Sequence, residues 1–193
     1  MIMRIFCSLL VSFFAAAVFA SSPEIVDYTS QIKFGHQVKL SRTVDVIVIH
    51  STYCTEGDPY NVEHAIAVFR QYKVASHYMI DRQGTVYRLV EEKDIAYQAG
   101  RSVLPQNGRK MLNRTSIGIE LLNSPTDPPT ELQYKSLVDL VKDIKTRYPI
   151  NYIVGHNNIA PDRKTDPWLF DWPKFNGMMH EMDQNASMAV IKN

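Results

Sequence analysis

The stretch that decides the fold is Gly155-His156-Asn157-Asn158-Ile159-Ala160-Pro161-Asp162-Arg163-Lys164-Thr165-Asp166-Pro167, entered from the apolar run Tyr152-Ile153-Val154. That run reads as a short buried strand. His156 then falls at the C-terminal end of the strand, where a loop begins. Asp166 lies between Thr165 and Pro167, and the proline restricts its own φ and biases Asp166 toward an extended backbone. An imidazole and a carboxylate at stiffened positions supply half of a zinc site. Catalytic zinc takes three protein ligands and keeps a fourth position open.

A third ligand is expected from His50, which ends Val44-Asp45-Val46-Ile47-Val48-Ile49-His50. This β-branched run has the pattern of a central strand buried on both faces. Two strands that deliver imidazoles at their C-terminal ends bring them together if the strands are neighbours in one sheet. Glu120, ending Ser116-Ile117-Gly118-Ile119-Glu120, and Lys164 are further groups for chemistry. The plain alternatives are a strand-end carboxylate in a surface ion pair and a solvated loop lysine.

With those segments in view, the chain resembles the zinc-dependent N-acetylmuramoyl-L-alanine amidases of amidase type 2, the AmpD-like and peptidoglycan-recognition-protein-like enzymes. Val48-Ile49-His50, Gly84-Thr85-Val86, Ala99-Gly100, Ser116 to Glu120 and Gly155 to Pro167 carry the resemblance, over about residues 44 to 175. It implies a single α/β domain with a mixed central sheet flanked by helices on both faces. It implies one Zn2+ held by His50, His156 and Asp166, with Glu120 as acid–base group and Lys164 facing the oxyanion. The bond implied is the amide between N-acetylmuramic acid and L-alanine of the stem peptide, in peptidoglycan or muropeptides. Asn113 resembles a substrate-contacting asparagine. Where the family often reads A-W-H-A-G, this chain has Ala96-Tyr97-Gln98-Ala99-Gly100. Gln98 replaces a histidine, which removes a proton-transfer group but keeps hydrogen bonding to substrate open. Tyr97 and Gln98 are candidate substrate contacts, or else loop packing; Trp168 is a candidate wall for the sugar, or else one of the aromatics that seal the core under the loop.

The totals fit one domain. There are 193 residues, 45% hydrophobic, with formal net charge +1. That length supports a sizeable core, and the charge gives no reason to invoke nucleic acid. Residues 1–20 read as a secretory signal peptide: Arg4 precedes a mostly apolar run from Ile5 to Phe19, and small residues at Val18 and Ala20 suit cleavage after Ala20. The alternative is an uncleaved anchor helix. A cleaved leader implies a periplasmic or secreted protein without a stable membrane anchor, expected to be a monomer. The mature domain, 21–193, keeps Cys54, which cannot pair within the chain. It is a nucleophile, a ligand or, as free cysteines often are, a buried apolar residue. A cysteine hydrolase built on Cys54 and His50, and a non-catalytic binding module of the same fold, are the competing functional readings.

Local patterns predict a helix over Val62 to Tyr72 capped by Asn61, and a hairpin of Ser76–Asp81 with Thr85–Val90 turning at Gly84. They also predict a capped amphipathic helix from Leu132 to Arg147 and a helix opening at Phe170 to Phe175. Glu91 to Gly100 reads as a loop or a turn of helix, and residues 181–193 as a segment that frays. His36 and His64 read as surface or satisfied histidines. His77 reads as a core histidine or a partner of a ligand histidine.

Overall fold

The computed structural model describes residues 24–191, with side chains described for 24–181; the leader reading of residues 1–20 lies outside them. Eight strands form in chain order: β1 (Ile25–Asp27), β2 (His36–Gln37), β3 (Val46–Thr52), β4 (Tyr78–Ile80), β5 (Val86–Arg88), β6 (Ile95–Ala96), β7 (Ser116–Leu122) and β8 (Tyr152–Gly155). Helix α1 (Val62–Tyr72) follows β3, α2 (Glu131–Arg147) follows β7, a single turn α3 (His156–Ile159) follows β8, and α4 (Trp172–Ile191) closes the chain. The main sheet has the order β1-β5-β4-β7-β3-β8. It is mixed: β4 and β5 are antiparallel, and every other adjacent pair is parallel. Strands β2 and β6 form a separate antiparallel pair.

Side-chain alternation sorts the sheet into two faces. Ile47 and Ile49 of β3, and Ile117, Ile119 and Leu121 of β7, pack with Leu137, Val138, Val141 and Ile144 of α2 and with Phe175 of α4. The residues between them turn the other way. Val46, Val48 and Val154 pack with Ala99, Leu104, Leu112 and Ile159, and Met79 and Leu122 pack with Ala65, Ile66 and Phe69 of α1. The sheet is therefore covered on both sides, as the periodicities predict. His50 and Glu120 have the parity of Val46 and Val48, so they belong to the face away from α2 and α4.

The helix starts are set by local chemistry. Asn61 Oδ1 accepts from the His64 amide at the start of α1. Thr130 and Gln133 form a reciprocal capping box at the start of α2, a feature worth about 1 kcal/mol. Gly84 takes φ +85° in the hairpin turn, a conformation other residues adopt only with strain.

Two expectations are corrected. The 91–100 segment is not simply a loop, because Ile95–Ala96 pairs with His36–Gln37. The end of the chain does not fray from residue 181, because α4 runs on to Ile191. Among the described residues, no helix is long and apolar enough to cross a membrane.

His77 is a core group. Its Nδ1 accepts from the Gly118 amide at 3.0 Å, and its Nε2 lies 3.1 Å from the Asp94 carbonyl. Burial, and then the Arg42 guanidinium, push its pKa down to about 3. An unfolded histidine titrates near 6.5, so below that pH the unfolded chain binds a proton that the native state refuses. Stability should fall as pH drops from about 6.5 toward 4, by up to about 1.4 kcal/mol per pH unit from this residue. Denaturant titrations across that range should show a shallower pH slope for His77→Gln; an unchanged slope would contradict the assignment.

Candidate metal centre

Parallel pairing assembles the site. In the β3–β7 register His50 stands opposite Glu120, so their side chains leave the sheet on the same face. In the β3–β8 register Ile49 stands opposite Gly155, which puts His156 one step beyond, beside His50. The sequence suggests a loop from His156 onward; instead His156 opens the one-turn helix α3, and Asn158 Oδ1 accepts from the Gly155 amide at 2.8 Å. The chain then turns back. The Arg163 and Lys164 amides both donate to the Ala160 carbonyl, and the Asn157 amide donates to the Asp166 carbonyl at 2.7 Å. Beyond Asp166, the Trp168 amide donates to Ser51 Oγ at 3.0 Å, and Asn123 Nδ2 donates to the Trp168 carbonyl at 2.9 Å. The loop is thus tied to α3 at Asp166 and, beyond it through Trp168, to β3 and to Asn123 at the end of β7.

Three donor atoms converge. His50 Nδ1 and His156 Nδ1 are 3.0 Å apart, and Asp166 Oδ2 lies 3.3 Å from the first and 3.2 Å from the second. The residues are 2%, 3% and 7% exposed. Nitrogen and oxygen ligands about 2.0–2.1 Å from a tetrahedral ion are separated by about 3.3 Å, so the triangle has the right size. The protons agree. His50 Nε2 is 2.6 Å from Gln98 Oε1, and His156 Nε2 is 3.4 Å from the Ala99 carbonyl oxygen. Those oxygens only accept, so each neutral ring carries its proton on Nε2 and turns the Nδ1 lone pair inward. Two lone pairs and a carboxylate oxygen facing one another in a buried space call for a cation. The cluster of His50, His156 and Asp166 can hold a metal ion.

Burial and charge compete over the titrating groups. Burial pulls His50 down, but the Glu120 and Asp166 carboxylates outweigh it and the net shift is upward. Burial also dominates at His156, whose pKa is lowered. For Asp166 burial acts upward, yet the two imidazoles beside it hold the carboxyl well below the usual range. Glu120, 7% exposed, is raised to about 7: burial is the main cause, and Asp166 adds to it against His50 and Lys164. The Lys164 charge lowers the pKa of both Glu120 and His156, so its field reaches the cluster. A buried carboxyl that titrates near neutrality can both take and give a proton.

The remaining candidates are placed as follows. Tyr97 is 42% exposed. Gln98 lies against His50 and Ser116. Asn113 turns its Oδ1 to the backbone amides of Gln98 and Ala99, at 3.2 and 2.8 Å, and so shapes that loop. Trp168 packs edge-on against Tyr53, with its indole N–H on Thr165 Oγ1. Cys54 is buried among Ile32, Ala65, Ile66 and Phe69, and burial raises its thiol pKa, which suits an inert apolar residue. His36 hydrogen-bonds the Phe34 carbonyl, and His64 is exposed on α1. Sequence reading did not single out Ser51, Asn123 or Ser116 as individual hydroxyl and amide anchors, because short polar side chains of this kind occur in every loop.

Comparison with known proteins agrees with this geometry. The family profile for N-acetylmuramoyl-L-alanine amidases matches residues 40–168. The chain is 42% identical over 104 residues to the 1,6-anhydro-N-acetylmuramyl-L-alanine amidase AmpD of Enterobacter cloacae, covering 52% of this chain and 54% of that protein. It is 34% identical over 151 residues to the N-acetylmuramoyl-L-alanine amidase AmiD of Escherichia coli, covering 67% of this chain and 51% of that protein. The chain thus spans about half the length of these curated relatives. The crystal structure of a selenomethionine AmpD derivative superposes with a TM-score of 0.64 at 29% identity, over 86% of this chain and 98% of that one. The E. coli AmiD complex with the substrate anhydro-N-acetylmuramic acid-L-Ala-D-gamma-Glu-L-Lys gives 0.62 at 32% identity, over 73% and 60%. With its sheet, its converging histidines and aspartate, and this profile match in agreement, the chain belongs to the N-acetylmuramoyl-L-alanine amidase family.

Proposed function

We propose that this chain is a zinc-dependent amidase that hydrolyses the bond between N-acetylmuramic acid and L-alanine in peptidoglycan or its released fragments. The observation that carries the reading is the buried triangle of His50 Nδ1, His156 Nδ1 and Asp166 Oδ2, with Glu120 opposite His50 on the next strand. The solved AmiD complex with a muramyl peptide supports the substrate class. The apolar run behind Arg4 supports export to the periplasm or beyond, where such a substrate lies.

His50, His156 and Asp166 would hold a zinc ion, which would supply a Lewis acid for the amide carbonyl and lower the pKa of a water toward about 7. Burial raises the Glu120 carboxyl to about 7. It takes a proton as the water attacks and delivers one to the departing amine. Lys164 is the cation beside the cluster and faces the charge that develops on the carbonyl oxygen. Trp168, two residues beyond Asp166, and Tyr97, next to Gln98, are proposed to contact the substrate.

Purified mature chain should contain about one zinc by elemental analysis and release stem peptide from muropeptides. Chelation should abolish release and added zinc should restore it; zinc without cleavage would leave a binding module instead. Activity lost on thiol alkylation but not on chelation would move the chemistry to Cys54.

His50→Ala or Asp166→Ala should lose zinc and turnover together. Glu120→Ala should keep zinc and lose about 10²–10⁴-fold in kcat; a near wild-type rate would remove its acid–base role. Lys164→Ala should keep zinc and lose about 10²–10³-fold in kcat.

A further inference from the structure

Gln98 stands where the family motif often has histidine, and its surroundings fix which way its amide points. Ser116 Oγ donates to the Leu112 carbonyl at 2.7 Å, so its lone pairs are left to accept. Gln98 Nε2 lies 2.7 Å from that oxygen and donates to it. The amide oxygen is thereby turned to His50 Nε2, 2.6 Å away. The backbone is held as well, by Asn113 Oδ1 on the Gln98 and Ala99 amides. Space is reserved too: a Cβ at Gly118 would stand 2.7 Å from Gln98 Cγ and 2.9 Å from Cδ. Four separate features thus place one acceptor on one ring nitrogen.

We propose that Gln98 is a positioning residue for the metal centre. It holds the His50 proton on Nε2, so that the Nδ1 lone pair is the one presented to zinc, and Ser116 sets the amide orientation that makes this possible. The inference rests on the metal-site reading above and deepens it. A histidine that ligates through one nitrogen needs an acceptor on the other to fix tautomer and ring orientation, and loss of that partner costs about 10–100-fold in metal affinity. Gln98 fills this role without a titratable group. Its carbonyl oxygen cannot donate, and its amide nitrogen is turned away to Ser116. The substitution at this position therefore removes a proton-transfer group from the site while keeping the ligand oriented.

Zinc affinity, measured by competition with a chromophoric chelator, tests this directly. Gln98→Leu should raise the zinc dissociation constant about 10–100-fold. Gln98→Glu keeps the acceptor at the same reach and should recover wild-type affinity or better. Ser116→Ala frees the amide to turn and should weaken binding by less than Gln98→Leu does. Imidazole nitrogen NMR of the metal-free protein in alkaline buffer supplies a readout that packing alone would not move. His50 should carry its proton on Nε2 in the wild type and populate the Nδ1–H form in Gln98→Leu. Wild-type affinity in Gln98→Leu with the His50 tautomer unchanged would overturn the proposal. If the wild-type chain takes up no zinc, the metal-site reading fails by itself, and the metal-free spectra still decide the tautomer assignment. Should Gln98→Leu not fold, the pair Ser116→Ala and Gln98→Glu carries the same contrast: equal affinity and equal tautomer in both would overturn it.

Discussion

Parallel pairing of β3 with its two neighbours is the constraint on which the site depends. Because β7, β3 and β8 all run the same way, their C-terminal ends arrive together, and the chemistry at those ends is gathered without any long side chain reaching for it. The register then does the fine placement. His50 stands across from Glu120, and the step from Gly155 to His156 carries the second imidazole to the first. A slip of one residue in β3 would turn His50 toward α2 and bring Ile49 or Ser51 to the site. That slip is opposed by Ile47 and Ile49, which are fully buried among Leu137, Val138 and Val141. The hydrophobic core and the ligand geometry are thus enforced by one pattern.

Burial acts on the gathered groups with opposite results. It raises Glu120 toward neutrality, since few partners favour its charged form. It fails to raise Asp166, because two imidazoles stand against that carboxylate. Two acidic side chains in one pocket are in this way split into a permanent anion suited to a cation and a group that can exchange a proton. Pairs of titratable groups driven apart by environment are a mark of catalytic sites.

Much of the fold was legible because the signals were local. Asn61 and Thr130 announce α1 and α2 through capping chemistry, and Val46 to Ile49 announce a strand buried on both faces. The clustering of His50, His156 and Asp166 was legible through two strand ends and a long motif that carries His156 and Asp166 together. What was not legible depends on pairing between distant segments. The β2–β6 pair is two residues long on each side, too short for a periodic signal. Strand order leaves no trace in spacing. Asn113 was read as a substrate contact from resemblance, and its carbonyl oxygen proves to be engaged by the Gln98 and Ala99 backbone amides. Gln98 was visible as a departure from the motif, but its partner was not, since the hydrogen bond to His50 spans 48 positions.

Arg42 lies before the first core strand, in a stretch with no regular structure. Its guanidinium donates to the carbonyls of Glu92, Asn113 and Ser116, at 2.8, 3.2 and 2.8 Å, and burial lowers its pKa to about 10. Of those three residues, Asn113 and Ser116 are the ones that hold Gln98. One side chain near the start of the domain is therefore a keystone for the wall of the site. A chain begun at β3 would keep His50, His156 and Asp166 yet lose this brace, which lies upstream of the strand.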